Sequence, residues 1–190
     1  MYLSPTSIKL TETTKLNQHV MNSITLIHGD ITTANVDAIV NAANTKMLGG
    51  GGVDGAIHRA AGPELLRACF ALPQSKGSRC PYGDARITIA GSLKARFVIH
   101  AVGPIYSKFS DPKAVLTSAY KQALDLALAN NCKTVALPAI SCGVYGYPPQ
   151  EAAEVALAVC QRADYQALQM TFYLFTEELL DIWQAVFTAK

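Results

Sequence analysis

Four consecutive glycines occupy positions 49–52 and run into Val53, Asp54 and Gly55, then into an apolar stretch with helical spacing. Because glycine loses more backbone entropy on folding than any other residue, a folded chain keeps such a run where side chains would be in the way. A loop whose N–H groups lie against a ligand is such a place, and a helix beginning directly after it adds its positive dipole end. The run therefore predicts an anion-binding loop. Asp54 would repel the anion unless its side chain points elsewhere or caps the helix.

Length and composition limit the possible function classes. A chain of 190 residues with 50% hydrophobic and 16% charged residues is long enough for one well-buried domain. A net charge of +2 without a basic cluster does not indicate a nucleic-acid partner. The five cysteines form no CxxC pair, which is typical of reduced thiols in a cytoplasmic protein. The four histidines lack ligand spacing, so no metal site is expected.

The first twenty residues differ from the rest of the chain. Residues 1–20 are rich in Ser, Thr and Lys and lack the long apolar run of a secretory signal. Two interpretations stay open: a flexible or loosely docked extension, and an additional edge strand over residues 7–10. The domain itself is expected to span residues 21–190.

Strand-like and helix-like segments alternate along this domain. Alternation of this kind predicts an α/β fold with a mixed, mostly parallel sheet covered by helices on both faces. Ligands of such sheets bind beyond the carboxyl ends of the strands. The expected strands are 24–28, 37–44, 86–90, 97–102, 134–140 and 170–175, and the expected helices are 54–60, 63–70, 113–130, 150–163 and 177–189.

Polar residues follow two of these strands. Asp30 either caps the next turn or accepts a hydrogen bond from an exocyclic amine such as that of adenine. Asn41 suits an amide that satisfies backbone groups in a tight connection, whereas Asn44 could hold a sugar hydroxyl or position a water. Both amides end the strand that leads to the glycine run.

A second glycine-containing loop, residues 141–148, also joins a strand to a helix. The first loop lacks the Lys-Ser/Thr of a P-loop and the GxGxxG spacing of a dinucleotide-binding fold, which disfavours both classes. Two loops that each present successive N–H groups beside a helix suggest a clamp on two linked phosphates.

Five segments together resemble the macrodomain family. They are Gly29-Asp30-Ile31-Thr32, residues 37–44 (DAIVNAAN), residues 49–62 (GGGGVDGAIHRAAG), Ala101-Val102-Gly103-Pro104 and residues 138–148 (PAISCGVYGYP). Within this family the chain is similar to the branch of ADP-ribose-processing hydrolases that includes MacroD and the bacterial O-acetyl-ADP-ribose deacetylases. The resemblance covers residues 21–190 and implies a three-layer α/β/α macrodomain with a central mixed, mostly parallel sheet.

The resemblance also implies roles for individual residues in ADP-ribose binding. Asp30 and the Ile31 N–H would contact adenine, with Phe175 beside it, and Asn44 would hold the distal ribose. The phosphate loops would comprise Gly51, Gly52 and Val53, and Ser141, Cys142, Gly143, Val144 and Tyr145, with Tyr145 shielding the distal ribose. Asp54 would be the catalytic acid-base residue, assisted by Asn44. His58, one helical turn after Asp54, either supports it or is a packed core histidine.

The implied reaction is hydrolysis without a metal or another cofactor. A carboxylate near the distal ribose can deprotonate a water or orient a ribose hydroxyl, although the diphosphate of the substrate could serve as the base instead. The implied substrates are O-acetyl-ADP-ribose and proteins mono-ADP-ribosylated on acidic side chains, with no membrane partner. A binding-only reader of ADP-ribose and an ADP-ribose 1″-phosphate phosphatase are the alternatives.

Two residues depart from the family pattern. Cys142 stands where relatives more often have a small hydroxyl residue, and its position contributes mainly a backbone N–H, so binding should survive. A nucleophilic role for Cys142 would require a lowered thiol pKa. Thr176 stands where many relatives have an acidic residue or a serine. This difference bears on how tightly the adenine end of the ligand is bound.

Overall fold

The computed structural model describes residues 24–189 as six strands and five helices. The strands are β1 (Ile24–His28), β2 (Val36–Ala42), β3 (Ala85–Ile89), β4 (Ala95–Ala101), β5 (Thr134–Pro138) and β6 (Gln169–Leu174). The helices are α1 (Gly52–Ala61), α2 (Pro63–Ala71), α3 (Pro112–Ala129), α4 (Pro149–Cys160) and α5 (Glu177–Thr188). Short 3-10 turns lie at Ile31–Thr33, Tyr106–Lys108 and Ala163–Tyr165.

The strands form one mixed sheet in the order β1-β6-β5-β2-β4-β3. All neighbouring pairs are parallel except β3 and β4, which are antiparallel. The carboxyl ends of β2 and β5 are therefore side by side at the centre of one sheet edge, and those of β1 and β6 continue that edge outward. This placement brings the two glycine-containing loops together, as the sequence predicts.

Helices cover both faces of the sheet and enclose two apolar cores. One core joins α3, α4 and α5 to the sheet and includes Trp183, whose ring lies 4.9 Å from that of Phe172. The other core lies under α1 and α2 and includes Ile57, Ala61 and Leu65, which are fully buried. Ile57 and Ala61 are four residues apart in α1 and therefore share one face of that helix, whereas Leu65 belongs to α2. The predicted three-layer α/β/α fold is confirmed.

Some of the helix and strand boundaries differ by a few residues from the predicted ones. Strand β2 ends at Ala42, so Asn44 belongs to the following loop, and α1 begins at Gly52. Strand β5 ends at Pro138, which has no N–H to donate to the ladder. The helix expected over 150–163 ends at Cys160, and a separate 3-10 turn follows.

Two further expectations concern the chain ends and the membrane. The proposed extension at residues 1–20 and its alternative edge strand lie outside the described residues. Across residues 24–189, no helix is both long and apolar enough to span a lipid bilayer.

Candidate active site

The first loop is shaped by glycines that tolerate conformations other residues avoid. Gly49 and Gly52 have φ values of 83° and 58°, in the left-handed region that favours glycine. Gly55, in the first turn of α1, lies against the carbonyl of Gly50, and a Cβ at this position would overlap that oxygen. The loop therefore folds back on the helix start, and the N-terminus of α1 faces the space beside it.

The second loop is held from below by a buried tyrosine. The Tyr120 hydroxyl donates to the carbonyl of Pro138 at 3.1 Å and accepts from the Ile140 N–H at 3.0 Å. Ser141 then adopts a φ of 67°, and the Tyr147 N–H returns to its carbonyl at 3.0 Å. A non-glycine residue in this region is strained and persists only where its surroundings hold it. Tyr120 is a functional candidate that the sequence pattern did not reveal.

Together the two loops enclose a pocket of about 250 Å³ at the carboxyl edge of β2 and β5. Its lining combines small residues with larger apolar and a few polar side chains: Ala42, Ala43, Asn44, Gly50, Gly51, Gly52, Val53, Asp54, Gly103, Ala139, Ile140, Ser141, Gly143, Val144 and Tyr145. A larger open groove of about 710 Å³ runs between α4 and α5, but no strand end reaches it. The pocket, not the groove, gathers the residues that the sequence singled out.

Four of the predicted binding residues lie outside this pocket lining. Asp30 accepts from the Thr32 N–H at 2.9 Å, so its side chain caps a 3-10 turn, and the Ile31 side chain is buried in the core. Phe175 is 78% exposed just beyond β6. These three residues follow the paired strands β1 and β6, on the same sheet edge as the pocket. Cys142 is half-buried within the second loop.

Asp54 lines the pocket and is 4% exposed. Asn41 Nδ2 donates to Asp54 Oδ1 at 2.7 Å, and Asn44 Nδ2 lies 3.4 Å from Asp54 Oδ2. Gly51 is the N-cap residue of α1, so the alternative of Asp54 as the helix cap is wrong. Burial raises the pKa of Asp54 above its usual value, while the Asn41 hydrogen bond and the charge of His58 oppose this rise.

The two asparagines have partners opposite to those that the sequence suggests. Asn44 Oδ1 accepts from the N–H groups of Lys46 and Met47 at 3.0 and 3.1 Å, and Asn44 Nδ2 donates to the Gly49 carbonyl at 3.0 Å. Asn44 thus satisfies the backbone of the tight connection, the role expected of Asn41. Asn41 instead contacts Asp54 with its amide. The reason is strand register, since residues 36–42 continue as β2 and point Asn41 into the interior.

A chain of buried hydrogen bonds supports Asn41 from behind. His100, its neighbour across β2 and β4, meets Asn41 Nδ2 through Nδ1 at 3.1 Å and Thr88 Oγ1 through Nε2 at 2.9 Å. Because the carboxylate of Asp54 can only accept, the Asn41 amide donates both of its hydrogens, and His100 Nδ1 accepts one of them. The proton of His100 is therefore on Nε2 and is donated to Thr88 Oγ1. The Thr88 hydroxyl in turn donates a hydrogen bond to the Ile89 carbonyl at 3.1 Å.

This series of hydrogen bonds, from Asp54 through Asn41 and His100 to Thr88, requires a neutral His100. Burial, together with a smaller effect of the charge of the nearby His58, lowers the pKa of His100 to about 3. His58 Nε2 lies 3.5 Å from Asp54 Oδ1, so His58 faces Asp54 as well as packing on the inner side of α1. His58, Cys69 and His100 each offer one atom that could ligate a metal ion, and these three atoms lie within 4.8 Å of one another. Both nitrogens of His100 already have hydrogen-bond partners in the chain, which favours a polar relay over a metal centre there.

We expect Thr88→Val to lower the stability of the protein by removing the hydrogen bond between Thr88 and His100, the last link of this relay of buried hydrogen bonds. Valine has nearly the shape of threonine but leaves the His100 Nε2–H without its oxygen partner, which costs about 1–3 kcal/mol when the donor is buried. Thermal and denaturant unfolding should show this loss. Thr171→Val, a half-buried position on β6, serves as the matched control and should change stability by less than about 0.5 kcal/mol. Equal stability of the two variants would contradict the relay.

Four of the five cysteines are buried, in agreement with the expectation of core thiols. Burial raises the pKa of Cys142 to about 12, and its Sγ lies 3.7 Å from the Ile140 carbonyl. A thiol with this pKa is protonated at neutral pH and is a poor nucleophile. The geometry therefore does not favour covalent catalysis by Cys142.

The Macro domain family matches residues 40–156, which include both loops and Asp54. The chain belongs to the macrodomain family. It is 74% identical over 168 residues to a macro domain-containing protein of Vibrio parahaemolyticus, covering 88% of this chain and 99% of that protein. An O-acetyl-ADP-ribose deacetylase of Enterobacter cloacae is 52% identical over 173 residues, or 88% of this chain and 94% of the enzyme. The structure of the Oceanobacillus iheyensis macrodomain with ADP is 40% identical, has a TM-score of 0.84 and covers 89% of this chain and 93% of that one.

Proposed function

We propose that this macrodomain is an ADP-ribose-binding hydrolase that deacetylates O-acetyl-ADP-ribose and removes mono-ADP-ribose from acidic side chains of proteins. The observation that carries this proposal is the position of Asp54. It is a carboxylate at the wall of a pocket formed by two N–H-rich loops, and its oxygens are held by two amides and not by the helix start. A pocket that only bound a diphosphate would gain nothing from a negative charge there.

The loops supply the binding part of this function. In the proposed complex, N–H groups of Gly51, Gly52 and Val53 on one side and of residues 141–145 on the other hold the diphosphate, with the dipole of α1 adding to the attraction. Asp30, Ile31 and Phe175 follow β1 and β6 at the outer part of the same edge and would receive the adenine. The deacetylase of Enterobacter cloacae and the ADP complex of the Oceanobacillus iheyensis macrodomain support this ligand class.

Asp54 supplies the chemical part. In deacetylation, Asp54 takes a proton from a water whose oxygen attacks the acetyl carbonyl, the ester C–O bond breaks, and the proton goes to the departing ribose oxygen. A base whose pKa is raised toward neutrality is more effective than an ordinary carboxylate, and general base catalysis typically contributes about 10²–10⁴ in rate. Asn41 and Asn44 keep Asp54 aimed into the pocket, and Asn44 lies in the lining where it can meet the distal ribose.

Two broader expectations belong to the same proposal. The cysteines without CxxC spacing, four of them buried in the core, fit a reducing compartment, so we place the protein in the cytoplasm. We take residues 21–190 as the macrodomain and residues 1–20 as a separate extension.

Parallel binding and turnover measurements on the full chain test the function. Calorimetry with ADP-ribose measures binding, and release of acetate from O-acetyl-ADP-ribose and of ADP-ribose from a glutamate-linked peptide measures turnover. We expect binding and both activities. Binding without either activity would identify a reader, and phosphate release from ADP-ribose 1″-phosphate alone would identify a phosphatase. Both results would overturn the proposal.

A further inference from the structure

Three aromatic residues from three different loops meet at one end of the pocket. Tyr82 and Phe109 pack edge to face with ring centroids 5.1 Å apart, and Tyr82 lies 6.5 Å from the ring of Tyr145. Of the three, only Tyr145 lines the pocket. We call Tyr82, Phe109 and Tyr145 the aromatic rim. Tyr82 is 37% exposed, so the rim presents apolar surface outside the pocket that the nucleotide would fill.

Backbone hydrogen bonds hold the rim in place. The loop of Tyr82 is tied to the end of β4, where the Gly83 N–H donates to the Val102 carbonyl at 2.7 Å. The turn that precedes Phe109 is tied to the second phosphate loop, because the Tyr106 N–H donates to the Tyr145 carbonyl at 2.9 Å. Three mobile side chains on independent loops would be a weak surface. These loops are fixed to the pocket wall, so the rim is preorganised.

The rim lies at the reacting end of the pocket. Tyr145 and Asp54 line the same pocket. A group bonded to the distal ribose would therefore leave the pocket past Tyr145 and extend over Tyr82 and Phe109.

We propose that the aromatic rim binds the polypeptide of a protein-linked substrate, contacting apolar side chains next to the ADP-ribosylated carboxyl. This inference rests on the proposed function. The acetyl group of O-acetyl-ADP-ribose ends two carbons beyond the ribose and is too short to cover the rim, whereas a polypeptide continues across it. Aromatic residues of this kind are enriched where proteins bind one another, because their large faces bury apolar area at low entropic cost.

The charges around the rim favour a polypeptide over a nucleic acid. Asp84 is paired with Arg86 at 2.6 Å, and Asp111, the N-cap residue of α3, closely follows Phe109 in the sequence. Together with Lys108 and Lys113, these residues carry a net charge of only +1. A nucleic-acid strand would require an excess of cations along its phosphates. A single excess positive charge is too small for that purpose.

Substrate preference tests this inference. Two peptides carry ADP-ribose on one glutamate, flanked by leucines in the first and by serines in the second. We expect kcat/KM to favour the leucine peptide by about three- to tenfold, the range that one or two aromatic contacts provide. Tyr82→Ser and Phe109→Ser should remove this preference while leaving deacetylation of O-acetyl-ADP-ribose and the Kd for ADP-ribose unchanged. Tyr82→Phe should retain it. Phe70→Ala, an exposed aromatic that contacts Arg79, is the control and should have no effect.

The possible failures are distinguishable. If wild type turns over no substrate, the proposed function fails, and the rim is then judged by the ratio of Kd values for the two peptides in wild type and in the rim variants. Equal losses on peptide and O-acetyl-ADP-ribose would show that the rim only supports Tyr145. No preference in wild type, or a rim-dependent gain limited to an ADP-ribosylated oligonucleotide, would also overturn the inference.

Discussion

Asp54→Ala should lower turnover of O-acetyl-ADP-ribose by about 10²–10⁴-fold, the typical contribution of a positioned general base. Binding of ADP-ribose should persist or tighten slightly, because the substitution removes a negative charge beside the diphosphate without changing the loop N–H groups. Stopped turnover with retained affinity separates chemistry from binding, and calorimetry combined with an acetate-release assay measures both.

Two matched variants accompany this measurement. Asp54→Asn keeps the size of the side chain and should lose as much activity as the alanine variant, because an amide cannot accept the proton. Asp164→Ala removes an exposed carboxylate that pairs with Arg162 at 3.1 Å, far from the pocket in the chain, and should behave as wild type. Full activity in either Asp54 variant would assign the base to another group, with the substrate's own diphosphate as the first candidate.

Among substitutions that add one methyl group to the glycine run or to the first turn of α1, Gly55→Ala should weaken ADP-ribose binding most. Alanine is a better helix former than glycine by about 1 kcal/mol, so the substitution would normally stabilise a helix. Here its Cβ would overlap the Gly50 carbonyl and push the glycine run away from the helix. Overpacking of this kind costs about 1–3 kcal/mol, and the displaced N–H groups would no longer reach the diphosphate. We expect a loss of at least about tenfold in ADP-ribose affinity, together with a lower Tm.

Ala60→Gly distinguishes a loop effect from a general loss of helix stability. This exposed position on α1 does not line the pocket, and glycine there costs about 1 kcal/mol of helix stability. The Tm should fall while the Kd for ADP-ribose stays unchanged. If Gly55→Ala binds ADP-ribose as tightly as wild type, the packing of the glycine run on the helix does not shape the phosphate site.

Much of the fold follows from local patterns in the sequence. All six strands and five helices occur where apolar periodicity predicts them, with boundaries that differ by a few residues. The two glycine-containing loops also meet as predicted, because the carboxyl ends of parallel strands share one edge. Glycine loops and strand ends are encoded by neighbouring residues, so single-sequence reasoning can find them.

The contacts within the site depend on register and could not be found in this way. Asn41 and Asn44 have the same residue type and are three positions apart, yet only Asn41 faces His100 across β2 and β4. Thr88 joins them from β3, a strand whose antiparallel direction the pattern did not predict. A register prediction for β2 and β4 would have paired Asn41 with His100. The aromatic rim had no local signal, since Tyr82 and Phe109 belong to separate loops.

The dependence of deacetylation rate on pH tests the central claim, that an ionised Asp54 activates the water. Burial raises the pKa of Asp54, so the carboxylate is protonated, and inactive as a base, at pH values where an ordinary aspartate is still charged. The rate at saturating O-acetyl-ADP-ribose, corrected for uncatalysed hydrolysis, should fall as pH is lowered, with an apparent pKa above that of an ordinary aspartate. The residual rate of Asp54→Asn should lack this acidic limb. A wild-type rate that stays constant down to pH 4, or an identical limb in Asp54→Asn, would contradict the assignment.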